Sequence, residues 1–124
     1  MKTIRIIVAG SRKFTDKEFI FEKFDKMLEN YEKDDIEFIS GMAHTGPDAI
    51  IFEYAESRGY PKPKEFPADW DNLGKSAGYV RNVEMAKYGT HAAIFWDGES
   101  KGSAHMFDIA LQYRLTVKRY IVKG

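Results

Sequence analysis

The stretch Thr3-Ile4-Arg5-Ile6-Ile7-Val8-Ala9-Gly10-Ser11-Arg12 decides how the chain is read. Its β-branched run stops at a glycine followed by a cation, which reads as a strand over residues 3–9 that delivers a tight turn. The apolar stretch is short and runs directly into that turn. It lacks a secretory leader's long apolar region and cleavage site, so the expectation is the first strand of a cytoplasmic protein.

Outward from this stretch, short β-branched runs alternate with helical-period segments, the pattern of parallel strands covered by helices. Further strands are expected at 36–40, 62–66, 91–95 and 118–122, and Pro61, Pro63 and Pro67 place the third of the five at a sheet edge. A helix from Asp16 to Tyr31 carries Ile20, Phe24, Met27, Leu28 and Tyr31 on one face. Thr15 and Glu18 have the spacing of a capping box, and Phe14 and Phe19 that of a hydrophobic staple. A second helix opens at Pro47 and stops at Gly59, with Ile50, Ile51, Tyr54 and Ala55 inward. A third covers Ala77 to Tyr88 with Val80, Val83 and Ala86 inward and ends at Gly89; a fourth covers Ser103 to Arg114 with Met106, Ile109, Ala110 and Tyr113 inward. Because parallel crossovers are right-handed, the expected fold is α/β, a Rossmann-like three-layer sandwich. Its five-stranded, mainly parallel sheet takes the order 3-2-1-4-5, in one domain over residues 1–124.

Composition narrows the function. With 19 Lys+Arg against 19 Asp+Glu there is no broad basic footprint for duplex nucleic acid or an anionic membrane, and no apolar run is long enough to span one. The absence of cysteine removes disulfides, thiolate catalysis and cysteine-ligated metal sites. His44, His91 and His105 lack metal-ligand spacing, so no metal is expected; a loop histidine such as His44 is not read as an acid or base without a partner. Neither a Walker loop nor a dinucleotide fingerprint is present, and no cofactor is expected.

In open α/β sheets ligands bind beyond the carboxyl ends of the strands, which is where this sequence puts its unusual residues. After the first strand, Gly10 allows close backbone approach, Ser11 can meet an anion and Arg12 can fork onto phosphate. After the second, Gly41, Met42 and Ala43 lead to a helix N-terminus that carries Asp48 in its first turn, a candidate for a sugar or base contact. The long connection around Asp69 and Trp70 offers a stacking face, and Arg81 and Asn82 point a cation and an amide toward the same rim. After the fourth strand, Asp97, Gly98, Glu99, Ser100, Gly102 and Ser103 form another anion cradle; Asp97 and Glu99 are candidates for acid/base chemistry or for a sugar contact. The aromatic residues Phe19, Phe21, Phe24, Phe38, Phe52 and Phe107 are chiefly core candidates, with Phe21 off the main stripe.

Five motifs in order carry a resemblance: Ala9-Gly10-Ser11-Arg12; Ser40-Gly41-Met42-Ala43 with Gly46-Pro47-Asp48-Ala49; Phe66-Pro67-Ala68-Asp69-Trp70; Gly74-Lys75-Ser76-Ala77-Gly78 with Arg81-Asn82 and Met85; and Trp96-Asp97-Gly98 with Ser100-Lys101-Gly102-Ser103. Together they resemble the YspA-type, cpYpsA-related branch of the SLOG superfamily, almost end to end. The resemblance implies a Rossmann-like fold that binds nucleotides or nucleotide-derived ligands at this rim. Some relatives are phosphoribohydrolases that use a glutamate in the last loop and a helix arginine; Arg81 looks like that arginine's counterpart, while Met106 occupies the glutamate's place. Methionine cannot move a proton or stabilise an oxocarbenium ion. Met42 stands where a second glycine is common in the branch and Pro47 where alanine is common.

The leading expectation is a module that binds a small nucleotide-derived ligand as sensor or scavenger. The alternative is a phosphoribohydrolase-type N-glycosidase in which Arg81 grips phosphate with Ser11 and Arg12, and Asp97, Glu99 or Asp69 replaces the missing glutamate. Single-stranded DNA binding ranks third, because cations and acids are evenly mixed. A homodimer through aromatics on the third and fourth helices is a further expectation.

Overall fold

The computed structural model describes residues 3–123; Met1, Lys2 and Gly124, at the two ends of the expected 1–124 domain, lie outside them. The chain runs β1 (Ile4–Gly10), α1 (Lys17–Leu28), β2 (Ile36–Ser40), α2 (Pro47–Arg58), β3 (Lys64–Glu65), α3 (Trp70–Leu73), α4 (Ala77–Tyr88), β4 (His91–Trp96), α5 (Lys101–Gln112) and β5 (Thr116–Ile121). All strand pairings are parallel and the order is β3-β2-β1-β4-β5, the Rossmann-like sandwich read from the sequence.

The β-branched run of β1 is buried because this strand is central, with Ile7 in register with Ile39 on one side and Ala92 on the other. The two sheet faces are filled differently. Against α1 and α2 lies an aromatic layer in which Phe24 packs on Phe38, Tyr54 and Phe95 at ring separations of 5.4–5.9 Å. Against α4 and α5 lie small and flexible side chains, among them Ala86, Ala92, Met85 and Met106. Chain reversal between β1's two neighbours makes the crevice at the ends of β1 and β4 the switch point of the sheet.

The differences from the sequence reading are local. Asp16, not Thr15, caps α1, its carboxylate accepting from Phe19 N at 3.1 Å, because the acid lies three residues before a free helical N–H. The staple contact forms nonetheless, with Phe14 and Phe19 edge to face at 5.6 Å. α1 ends at Leu28, so Tyr31 falls in a turn and is exposed. β3 shortens to two residues within its proline bracket, while β5 begins two residues early and α5 spans Lys101–Gln112 because Ser100 caps it. On α4 the inward face is Ala77, Asn82, Met85 and Ala86; Val83 is half-buried and Val80 exposed, since the helix turns Asn82 toward the sheet end. Tyr113 lies past the end of α5 and is exposed. Phe21, off the stripe, packs edge-on against Tyr54 at 5.1 Å. Among the described residues no helix is long and apolar enough to cross a membrane, and no cluster of side chains could hold a metal ion.

Candidate functional site

The crevice at the switch point opens into a cavity of about 400 Å³. Its floor is the end of β1 with Gly10 and Ser11, and its far wall is the start of α5. Gly10 is required here, because a Cβ would lie 2.5 Å from the Phe95 carbonyl oxygen and 2.6 Å from Pro47 Cγ. Of the sequence-predicted residues, Arg12, Ala43, Asp48, Arg81 and Asn82 line this cavity together with Asp97, Glu99, Ser100, Gly102 and Ser103. Lys13, Met85 and Met106 also line it and were not singled out as contacts. Met106, which the sequence resemblance sets where a glutamate would stand, is fully buried and presents only a thioether.

A second cavity of about 820 Å³ adjoins the first, with Arg12, Ala43 and Arg81 common to both. It takes Gly41, Met42 and Trp70 from the predicted set and adds His44, Phe52, Pro67 and Ala68, giving an aromatic and apolar wall beside two guanidinium groups. Trp70 is half exposed, and its ring edge lies 3.3 Å from where a Gly78 Cβ would be, so glycine lets the indole lean on α4. Phe52 could not be separated from core aromatics by sequence, since it shares their helix.

Two predicted residues join neither cavity. Asp69 caps α3, accepting from Asn72 N at 3.2 Å and from Asn72 Nδ2 at 3.0 Å. Gly98 adopts φ +86° and shapes the turn between Asp97 and Ser100. Sequence spacing shows neither role, because a capping carboxylate and a ligand carboxylate look alike until the loop is closed.

Arg81 is held in place by its neighbours. Its Nη1 donates to the Gly41 carbonyl at 2.6 Å and its Nε to Asn82 Oδ1 at 3.3 Å. Burial lowers its pKa from the free value, an arginine nonetheless remaining cationic. Asn82 Nδ2 lies 3.0 Å from His105 Nδ1 and donates to the Gly102 carbonyl at 3.3 Å, tying α4 to the start of α5. Since the amide can only donate there, His105 accepts as a neutral ring, consistent with burial lowering its pKa. Neither Arg12 nor Arg81 makes an ion pair among the described residues.

Two of the cavity's three acids, Asp97 and Asp48, are opposites. Asp97 Oδ1 accepts from Glu99 N and Ser100 N, both at 2.9 Å, and the Ser11 hydroxyl adds a bond; these hold its pKa down at about 2. Asp48 is buried, and desolvation pushes its pKa up to about 6, against the Ala43 N–H at 3.2 Å and the nearby Arg81 and Arg12 charges. Between the Gly41 carbonyl held by Arg81 and the Ala43 N–H held by Asp48 sits Met42 with φ +68°, a left-handed conformation unusual for a side-chain-bearing residue. Ser40 Oγ closes the same loop, donating to the Asp48 carbonyl at 2.9 Å and accepting from Met42 N at 3.1 Å.

This arrangement offers an anion a pair of cations and the backbone of two glycine-bearing loops, with a flat aromatic surface next to it. A sequence model of the YspA, cpYpsA-related SLOG family matches residues 4–72, from β1 into α3, which Trp70 opens. No curated protein and no solved structure matches the chain.

Proposed function

The chain belongs to the YspA, cpYpsA-related SLOG family, whose members suggest a nucleotide-related binding or glycosidase-like role, and from that premise we propose that it is a cytoplasmic module that binds a nucleotide-derived ligand across the two joined cavities. The observation that carries this reading is the sharing of Arg12 and Arg81 by a small polar cavity and a larger aromatic one. Phosphate sits over Gly10–Arg12 and the start of α5 at Ser100–Ser103, where N–H groups, hydroxyls and guanidinium forks supply charge-assisted hydrogen bonds. The base lies along Trp70 and Phe52 in the larger cavity.

Binding without turnover is favoured by the side chains at the reacting end. Asp97 is a fixed anion, Met106 carries no proton, and Asp69 is engaged in a cap. A glycosidase would therefore depend on Glu99, which is exposed, or on Asp48. Titration calorimetry with AMP, ADP-ribose and cyclic nucleotides, followed by chromatography of the mixture, tests the proposal. Wild type binds at least one of them intact, and Arg81→Ala weakens that binding about 10–100-fold, as loss of charged hydrogen bonds implies. Equal affinity in the variant would refute the site, and released base would replace the binding module with the hydrolase. The exposed Tyr79, Val80, Leu111 and Tyr113 on and beside α4 and α5 support a homodimer, read by light scattering.

A further inference from the structure

The main cavity contains three carboxylates, and they differ in how they can respond to a ligand. Asp97 has its anionic form fixed by backbone N–H groups, and Glu99 faces solvent. Asp48 is 8% exposed, lies in the first turn of α2 and has its Oδ2 on the Ala43 N–H. The charged groups facing it are Arg12 from the loop after β1 and Arg81 from α4; Lys13, Asp97 and Glu99 stand farther round the same cavity, and His44 lines the adjoining one. Ser40 of β2 meets it only through its backbone carbonyl.

From this placement we infer that Asp48 couples ligand binding to a proton: an anion that engages Arg12 and Arg81 is bound with uptake of one proton by the Asp48 carboxylate. The inference rests on the nucleotide reading above, which supplies the anion. With the cavity empty, the two guanidinium groups are the cations that compensate a carboxylate taken out of water. A phosphate claims the same positive charge and adds a like charge beside the acid, and both effects favour the neutral carboxyl. The bond made is O–H on Asp48, the proton comes from solvent, and no other group changes its covalent state. Burial has already brought the Asp48 pKa up to about 6, close enough to neutrality for a ligand to move it through the physiological range. Ala43 N–H stays satisfied in either state, because a neutral carboxyl retains an acceptor oxygen.

ADP-ribose is the probe, since its diphosphate charge is constant between about pH 5 and 8, unlike that of a terminal phosphate. Its affinity for the full-length protein should rise as pH falls from 8 to 6, by up to about tenfold per pH unit, with matching proton uptake in buffers of different ionisation enthalpy. Asp48→Asn, which keeps an acceptor for Ala43, should bind ADP-ribose with a flat pH profile. A flat profile in wild type, or an unchanged slope in Asp48→Asn, overturns the coupling and leaves the nucleotide reading intact. Absence of ADP-ribose binding at every pH overturns the coupling; absence of binding to the whole nucleotide panel, or binding indifferent to Arg81→Ala, removes the nucleotide reading with it. A readout independent of that variant's folding is the carboxyl carbon resonance of Asp48 in wild type: its titration midpoint should move up on saturation with ADP-ribose, and a midpoint that stays put overturns the inference.

Discussion

The loops after β2 and β4 each bring a carboxylate to the same cavity, and they treat it in opposite ways. The β4 loop wraps its own backbone round Asp97, so the charge is solvated by N–H groups and the acid is strong. The β2 loop gives Asp48 the Ala43 N–H, to which its own N–H adds, and buries it, so desolvation outweighs these bonds and the charge leans on cations from other elements, Arg12 and Arg81. A carboxylate satisfied locally is a structural part; one satisfied from a distance is open to influence by whatever else those cations bind. The loops also differ in backbone strain: the β4 loop's positive φ falls on Gly98, whereas the β2 loop has one on Gly46 and a second on Met42, a residue with a side chain.

The largest expected effect comes where the two loops meet. Gly10→Ala drives a methyl against the Phe95 carbonyl and Pro47, forcing β4 and α2 apart, and should destabilise the protein by about 3 kcal/mol in urea unfolding. Wild-type stability in that variant would mean that the loops are not tightly joined. Asp48→Asn comes next. Its folded pKa is raised from 3.8 to about 6, so the ionised acid opposes folding, and the stability lost grows as pH rises from about 4 to 6 and is constant above. The variant should accordingly be more stable than wild type at pH 7, by up to about 3 kcal/mol, and gain almost nothing at pH 4. A loss at pH 7 would show that Asp48 is satisfied as well as Asp97.

Met42→Gly removes the left-handed penalty at the price of chain entropy and should stabilise by about 0.5 kcal/mol, seen as a small rise in thermal midpoint. Asp97 provides the smallest effect and the opposite sign. With a folded pKa of about 2 against 3.8, its contribution is present above about pH 4 and disappears as pH falls through 2. Asp97→Asn should thus be slightly less stable than wild type at pH 7, with the two converging in acid. Parallel acid titrations for Asp48→Asn and Asp97→Asn would collapse the distinction between the loops.

Much of this was legible in the chain. The β1 run and its glycine, the capped helices and the alternation of periods lead to the five-stranded parallel sheet, because hydrophobic period and turn chemistry are local properties. The rim residues were found by their position after strands, and Gly10, Ser11, Arg12, Asp48, Arg81 and Asn82 do converge on one cavity. Cap assignments slipped by a residue at α1, where Thr15 and Asp16 are both good caps and only the closed turn distinguishes them. Asp69 and Asp97 read as candidate reactive acids, although each accepts from nearby backbone N–H groups.

Which residues stand near the ends of the strands is a local matter, since strand and helix boundaries follow from a few neighbouring side chains. Only the tertiary structure decided what those residues are: that Arg12 and Arg81 are shared between a polar and an aromatic cavity, and that Asp48 is buried while Asp97 is not. Protonation and charge are set by solvent exclusion and by partners tens of residues away, such as Gly41 and Arg81, which are 40 positions apart, and no local pattern encodes them.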